Sequence, residues 1–290
     1  MSDVSLPQHA WPDGDTVVVQ GPGLRAVVLP RRGGKIVSLR DDDGREWLAQ
    51  PESPVGPPAR PGDGFLAAEM AGWDECAPTI VACEVDDLTL PDHGSLWTAK
   101  GRAVGRTVTL VDDTLGFRFE RSIEPSGRGL RFDYRVTTPT RTIPFLWAAH
   151  PQFAAPPGTI VRVPAHVTTA VDVLDPALPE RPWDGATASI DDLDEGECRK
   201  VYVHPETPVF AASLSRRDAT LSMRWSAACP YLGVWMERGL YRSGPVVAIE
   251  PSTSYFDALD VALAAGRTPT VSPEKPLAWT IWLEPDADRA

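Results

Sequence analysis

The sequence predicts an all-β protein: a large antiparallel sandwich or barrel with few short helices. Three observations carry this. Short runs of β-branched and aromatic residues recur along the whole chain, each bounded by Gly, Pro or Asp turns. Prolines number 30 in 290 residues, roughly twice the usual share; long helices tolerate proline badly, whereas short strands and turns accommodate it. Apolar and polar residues alternate at period two in several runs, and a helical period shows in only one.

Taken in order, DTVVVQ (15–20) and LRAVVLP (24–30) flank a glycine-containing turn and predict a hairpin. KIVSLRDDDGREWLA (35–49) reads as a second hairpin turning at 41–44. GLRFDYRVTT (129–138) alternates most cleanly, with Leu130, Phe132, Tyr134 and Val136 on one face and Arg131, Asp133, Arg135 and Thr137 on the other. TLSMRW (220–225) alternates through Leu221, Met223 and Trp225. LAWTIWLEP (277–285) reads as a strand apolar on both faces, as expected between two layers. YFDALDVALAAG (255–266) is the one helix candidate, with Phe256, Leu259 and Leu263 on one side and Gly266 to end it. The proline- and acid-rich segments 51–64 and 173–197 read as long surface loops. No composition shift marks a boundary, so residues 1–290 are read as one domain, with 1–13 and 286–290 loosely ordered.

The formal net charge is −12, which opposes binding to a phosphate backbone or an anionic membrane surface. The N-terminus shows no basic start before an apolar run, and no stretch of 18 apolar residues occurs. Cys76, Cys83, Cys198 and Cys229 are scattered, in neither a C-x-x-C pair nor a disulfide framework, and read as free thiols in a reducing cytoplasm. A monomer or homodimer is expected. The motifs of zinc enzymes, serine hydrolases and nucleotide binders are missing, so neither metal nor cofactor is expected; GGK at 33–35 lacks the upstream glycine of a phosphate loop.

Five stretches could carry chemistry. In AGWDECAPTI (71–80), Asp74 and Glu75 are adjacent carboxylates that a strand would aim to opposite faces, or a solvated turn would simply expose. In LPDHGSLW (90–97), His93 precedes a glycine that lets backbone approach a ligand, and Trp97 offers a flat face. In FLWAAHPQF (145–153), His150 interrupts an apolar run, either as a satisfied core histidine or as an acid–base group. In GPVVAIEPSTSYFD (244–257), Glu250 ends a buried strand, where burial should raise its pKa and suit it to general-base work. In CPYLGVWMERG (229–239), Tyr231 and Trp235 are aromatic surface or core.

The order of PRRGGKIVSLRDDDGREWL, GWDECAP, DHGSLW, WAAHPQF, AIEPST and TIWLEP resembles that of the aldose 1-epimerases, the galactose mutarotase-like family, over about residues 15–285. The resemblance implies a large antiparallel β-supersandwich and a cofactor-independent enzyme that interconverts the α and β anomers of a small sugar. It implies Glu250 as general base, His150 as general acid and His93 as a ligand of the sugar; Asp74, Glu75, Trp147, Lys35 and Trp235 are further candidates for sugar contact. The family's N-G-R stretch before the first histidine is missing; Arg60, Lys35 or the GWDE acids would fill that region. Asp184 in RPWDG is the candidate for its hydroxyl-binding aspartate. Two alternatives remain: a hexose 6-phosphate as substrate, with Arg31, Arg32, Arg216 and Arg217 as its cations, or sugar binding without turnover.

Overall fold

The computed structural model describes Trp11 and residues 15–286. The expectation of loose ends at 1–13 and 286–290 therefore lies mostly outside the described residues; Trp11 is buried against Val27, Leu29, Val37 and Ala71.

Two antiparallel sheets dominate the described chain. The larger has ten strands, in the order Val17–Gln20, Leu24–Leu29, Lys35–Asp41, Gly72–Cys76, Ala148–Ala154, Val246–Ser252, Tyr231–Arg238, Glu197–Val203, Thr169–Asp172 and Glu180–Pro182. The second has eight, running from Ile160–Arg162 through Ala211–Ser215, Thr220–Trp225, Leu277–Pro285, Gly129–Thr137, Phe117–Ser126 and Thr107–Asp112 to Arg102–Val104. Their inner faces meet in one apolar cluster. Trp73 and Trp147 of the larger sheet's side pack on Phe132, Tyr134 and Trp279 of the other. A layered β-sandwich of this kind buries alternate residues of each strand, and the predicted alternations hold: Leu130, Phe132, Tyr134 and Val136 are buried, as are Leu221, Met223 and Trp225.

Three expectations need correction. The closing strand is not apolar-buried on both faces: Trp279, Ile281 and Leu283 enter the core, while Trp282 is half-exposed beneath the Arg224 guanidinium. Its outer face meets solvent, as antiparallel sheets allow. The helix is shorter than predicted, Leu259–Ala264, and buries Leu259 and Ala262, leaving Leu263 exposed. Residues 45–49 pair only through isolated bridges, Glu46 to Arg40 and Leu48 to Phe153. Among the described residues no helix is long and apolar enough to cross a membrane, and all four cysteines are free thiols.

Candidate active site

The larger sheet carries a single row of side chains across five neighbouring strands. Asp74 pairs with His150, and the register that sets Ala148 opposite Ser252 sets His150 opposite Glu250; Glu250 pairs with Gly233, and Gly233 with Tyr202. Residues 150 and 250, a hundred positions apart in sequence, are thus neighbours because two strands lie side by side. Each stands directly before a proline. Pro151 and Pro251 have no N–H to give the ladder, and these two strands pair only at Ala148 and again at Phe153 and Ala154. The unpaired interval is the stretch that bears His150 and Glu250.

His150 Nδ1 lies 2.7 Å from Glu250 Oε1. Lys200 Nζ lies 2.9 Å from Glu250 Oε2 and 2.9 Å from Asp257 Oδ1, and the Tyr202 hydroxyl donates to Asp257 Oδ1 at 2.6 Å. All but Asp257 are buried, Glu250 completely. Burial alone would push the Glu250 carboxyl up, as the sequence suggested. Lys200 and His150 reverse this and hold it down to about 2, because a cation at hydrogen-bond distance favours the charged form. The expected raised pKa is therefore corrected to a lowered one. Burial also opposes the charge of Lys200, but Asp257 and Glu250 outweigh it and raise the ammonium above its ordinary value.

Around this row the other sequence candidates fall into two groups. Near it are His93, Asp74, Lys35 and Trp235. His93 stands 5.5 Å from His150, ring to ring, and Trp235 stands 5.7 Å from it, half-buried. Burial lowers the His93 imidazole pKa, against the opposing pull of Asp92. Lys35 Nζ is committed three ways, to Asp74 Oδ2 at 2.5 Å and to the carbonyls of Glu69 and Ala71. Asp74 Oδ1 is buried with no hydrogen-bond partner among the described residues, as is Gln152 Oε1.

Glu75 and Trp147 are corrections. They point to the other side of the sheet, into the core, where Trp147 Nε1 donates to Glu75 Oε2 at 2.8 Å and Arg121 to Glu75 Oε1 at 2.5 Å. Adjacent residues of a strand face opposite ways, so Asp74 and Glu75 cannot share a ligand. Phe153 also packs in the core. Asp184 is a third correction: exposed and outside the row, it caps the Gly185–Ala188 helix through the Ala186 and Thr187 N–H groups. Gly94 does not bring backbone to a ligand; with φ +71°, it brings the backbone against Ala77, where a Cβ would lie 2.0 Å from the carbonyl oxygen.

Phe65 covers part of the row, and Lys35 bonds the Glu69 and Ala71 carbonyls farther along the same segment. Phe65, in its one 3-10 turn (Phe65–Ala67), stacks on His93 at 3.8 Å and 8° and meets His150 edge-on at 5.8 Å. Trp97 packs edge-on behind Phe65 and is no free platform. Of the residues sequence reasoning passed over, Gln152 and Asp257 lie inside quoted stretches without a role, and Lys200 is a lysine in an otherwise apolar strand end, KVYV. Phe65 follows a glycine- and aspartate-rich loop that gave no periodicity to read. Among the described residues, no group of three His, Cys, Asp or Glu side chains is arranged to hold a metal ion.

No family model matches this chain, and no curated protein matches it. Solved structures do. The Slr1438 protein of Synechocystis sp. PCC 6803 superposes with a TM-score of 0.72 at 16% identity, over 99% of this chain and 100% of that one. A galactose mutarotase-like protein of Clostridium acetobutylicum superposes with a TM-score of 0.68 at 16% identity, over 93% and 94%. The fold is galactose mutarotase-like. The galactose 1-epimerase of Lactobacillus acidophilus NCFM shares this mutarotase-like fold less closely, with a TM-score of 0.59 at 12% identity over 92% of each chain.

Proposed function

We propose that the protein is an aldose 1-epimerase-type isomerase that opens and recloses the ring of an unmodified sugar. The observation that carries this reading is the His150–Glu250 pair at 2.7 Å on one row of the sheet. Ring opening of a cyclic hemiacetal needs a base at the anomeric hydroxyl and an acid at the ring oxygen, both touching one ring. Glu250, ionised across the neutral range, takes the anomeric proton. His150 gives one to the ring oxygen. Rotation about the bond next to the aldehyde carbon and closure on the other face reverse the two transfers. Each transfer contributes roughly 10²–10⁴-fold. His93, Trp235, Asp74 and Gln152 are placed to hold hydroxyls, and the two unpartnered oxygens of Asp74 and Gln152 suit hydroxyl donors. The free thiols are in keeping with a reducing cytoplasm.

A hexose 6-phosphate is the less favoured substrate. Arg216 is committed to the carbonyls of Glu46, Trp47 and Ala154 and stacks on Trp47. Arg32 bonds the Gly56 carbonyl. Lys35 and Lys200 each face carboxylates, which leaves little positive charge for a phosphate. Polarimetry and exchange NMR on pure anomers of a sugar panel test the reading. Glu250→Gln should lose anomer exchange by about 10²-fold or more while keeping its thermal transition. Full exchange activity in that variant overturns the assignment of the base, and saturable sugar binding without faster exchange favours the binding-only alternative.

A further inference from the structure

We propose that Lys200 is a positioning residue that keeps Glu250 ionised and aimed while leaving the carboxylate oxygen that faces it free to accept the substrate's proton. This rests on the acid–base reading of His150 and Glu250. It adds a third charged group to that pair, one that acts through Glu250 and not on the sugar.

The geometry of the two carboxylate oxygens is unequal. Oε1 is engaged by the His150 imidazole in a directed contact of 2.7 Å. Oε2 lies 2.9 Å from the Lys200 ammonium, yet has no hydrogen bond of good alignment. The ammonium supplies positive charge beside Oε2, and a carboxylate oxygen with two lone-pair sites keeps one open. A buried carboxylate with no cation protonates instead of staying charged. A carboxylate has about four lone-pair sites, so one imidazole contact and one ammonium contact hold it ionised and still leave a site for the substrate's hydroxyl.

Lys200 is itself fixed. Asp257 Oδ1, 2.9 Å away, holds its other side, and Asp257 is tied in turn by the Tyr202 hydroxyl. The Asp257 carbonyl accepts from the Ile80 and Val81 N–H groups and from the Thr79 hydroxyl. Gly233 stands opposite Glu250 on the strand between Glu250 and Lys200; a Cβ there would reach within 3.1 Å of both Glu250 Oε2 and the Tyr202 ring. The space over Gly233 is therefore what lets the lysine's neighbours close around Oε2.

The groups that face Glu250 are His150 from the strand on one side, Lys200 and Tyr202 from beyond Gly233 on the other, and the Cys76 thiol from the Asp74 strand. The Cys76 thiol is pushed up by burial and by Glu250 itself. Asp257 acts through Lys200; Asp74 and His93 lie on the far side of His150. Lys200 is the one lysine or arginine among these groups, and its ammonium lies 2.9 Å from Glu250 Oε2.

The test is a titration of the Glu250 carboxyl by ¹³C NMR on glutamate-labelled protein, assigned by loss of its signal in Glu250→Gln, with the pH profile of exchange activity beside it. In the native protein the carboxyl should stay ionised down to at least about pH 4. In Lys200→Met its titration should move up by at least about one pH unit. The acid limb of kcat for exchange should move with it, KM should change little, and Lys200→Arg should restore most of the limb. A Lys200→Met carboxyl that titrates as in the native protein overturns the proposal. If Lys200→Met does not fold, the native titration decides: a Glu250 carboxyl that titrates at or above the ordinary 4.5 overturns it without any variant. A shifted carboxyl in a protein with no exchange activity would uphold the lysine's role and sink the epimerase reading instead.

Discussion

Gly233 shows how one missing side chain sets the chemistry of a row. Glu250 and Tyr202 approach one another over it, and a methyl group there meets both at 3.1 Å. Neither neighbour is a flexible surface side chain, since both are fully buried. Gly233→Ala should therefore displace the carboxylate by a few tenths of an ångström. Misplacement by a full ångström costs about 10²-fold in rate, so the expected loss in kcat for exchange is about tenfold, with stability reduced by only about 1 kcal/mol. Exchange NMR and a denaturant midpoint measure the two separately; an equal loss in both would mean that the strand, not the carboxylate, had moved. At this scale His150 and Glu250 were legible in the sequence, because an ionisable residue inside an apolar run, followed by proline, is conspicuous. Lys200 was not: a lone lysine in a short strand is ordinary, and only its two carboxylate neighbours make it unusual.

At the scale of single elements, the composition of 51–64 suggested a surface loop, and Phe65, just past it, packs on the candidate site against His93 and His150. Phe65 is nearly fully buried there, and burying a phenylalanine side chain stabilises the docked segment by about 1.5–3 kcal/mol. That corresponds to a closed-to-open ratio of about 10–150 from this residue alone, and the apparent affinity for a sugar falls by the same factor. Phe65→Ala should therefore lower KM for the sugar by about tenfold or more, leave kcat within a few-fold, and speed hydrogen exchange of amides in 51–71. A raised KM would mean instead that the ring contacts the bound sugar. Lys35 anchors the segment's far end through the Glu69 and Ala71 carbonyls. The helix at Leu259–Ala264 teaches a related lesson: its apolar face follows Leu259 and Ala262, because docking against the chain around Thr79, not helical periodicity alone, chose which side to bury.

For the molecule as a whole, the pair between the sheets is Arg121 with Glu75. Arg121 comes from the eight-stranded sheet and Glu75 from the ten-stranded one, and both are buried. Burial raises the Glu75 carboxyl above its ordinary range even with Arg121, Trp147 and Tyr134 pulling it down. Removing one partner of a buried pair costs about 3–5 kcal/mol, so Arg121→Met should lower the denaturant stability at pH 7 by that order. The sign of its pH dependence follows. A carboxyl whose folded pKa lies above the unfolded one binds more protons when folded, so its contribution is lost as pH rises through the folded value and returns as pH falls toward 4.5. The deficit of Arg121→Met should shrink on acidification, and Glu75→Gln added to it should remove that dependence. Urea denaturation at pH 5 and pH 7 checks both.

The sequence by itself determined the fold class and named the candidate acid–base pair. Period-two alternation and the frequency of proline specify strands without reference to anything distant, and the run of motifs from GWDECAP to AIEPST, through the family it resembles, implied that His150 and Glu250 work as a pair. What only the tertiary structure decided is which face of each strand meets what. Alternation says that Asp74 and Glu75 point opposite ways; it does not say that Asp74 faces Lys35 and Glu75 faces Arg121. Nor does local pattern contain the pKa of Glu250. The apolar strand around it predicts a raised value, whereas Lys200 and His150, both distant in sequence, lower it to about 2. Charge acts through space across paired strands, so the protonation of that carboxyl is set by the register of the sheet.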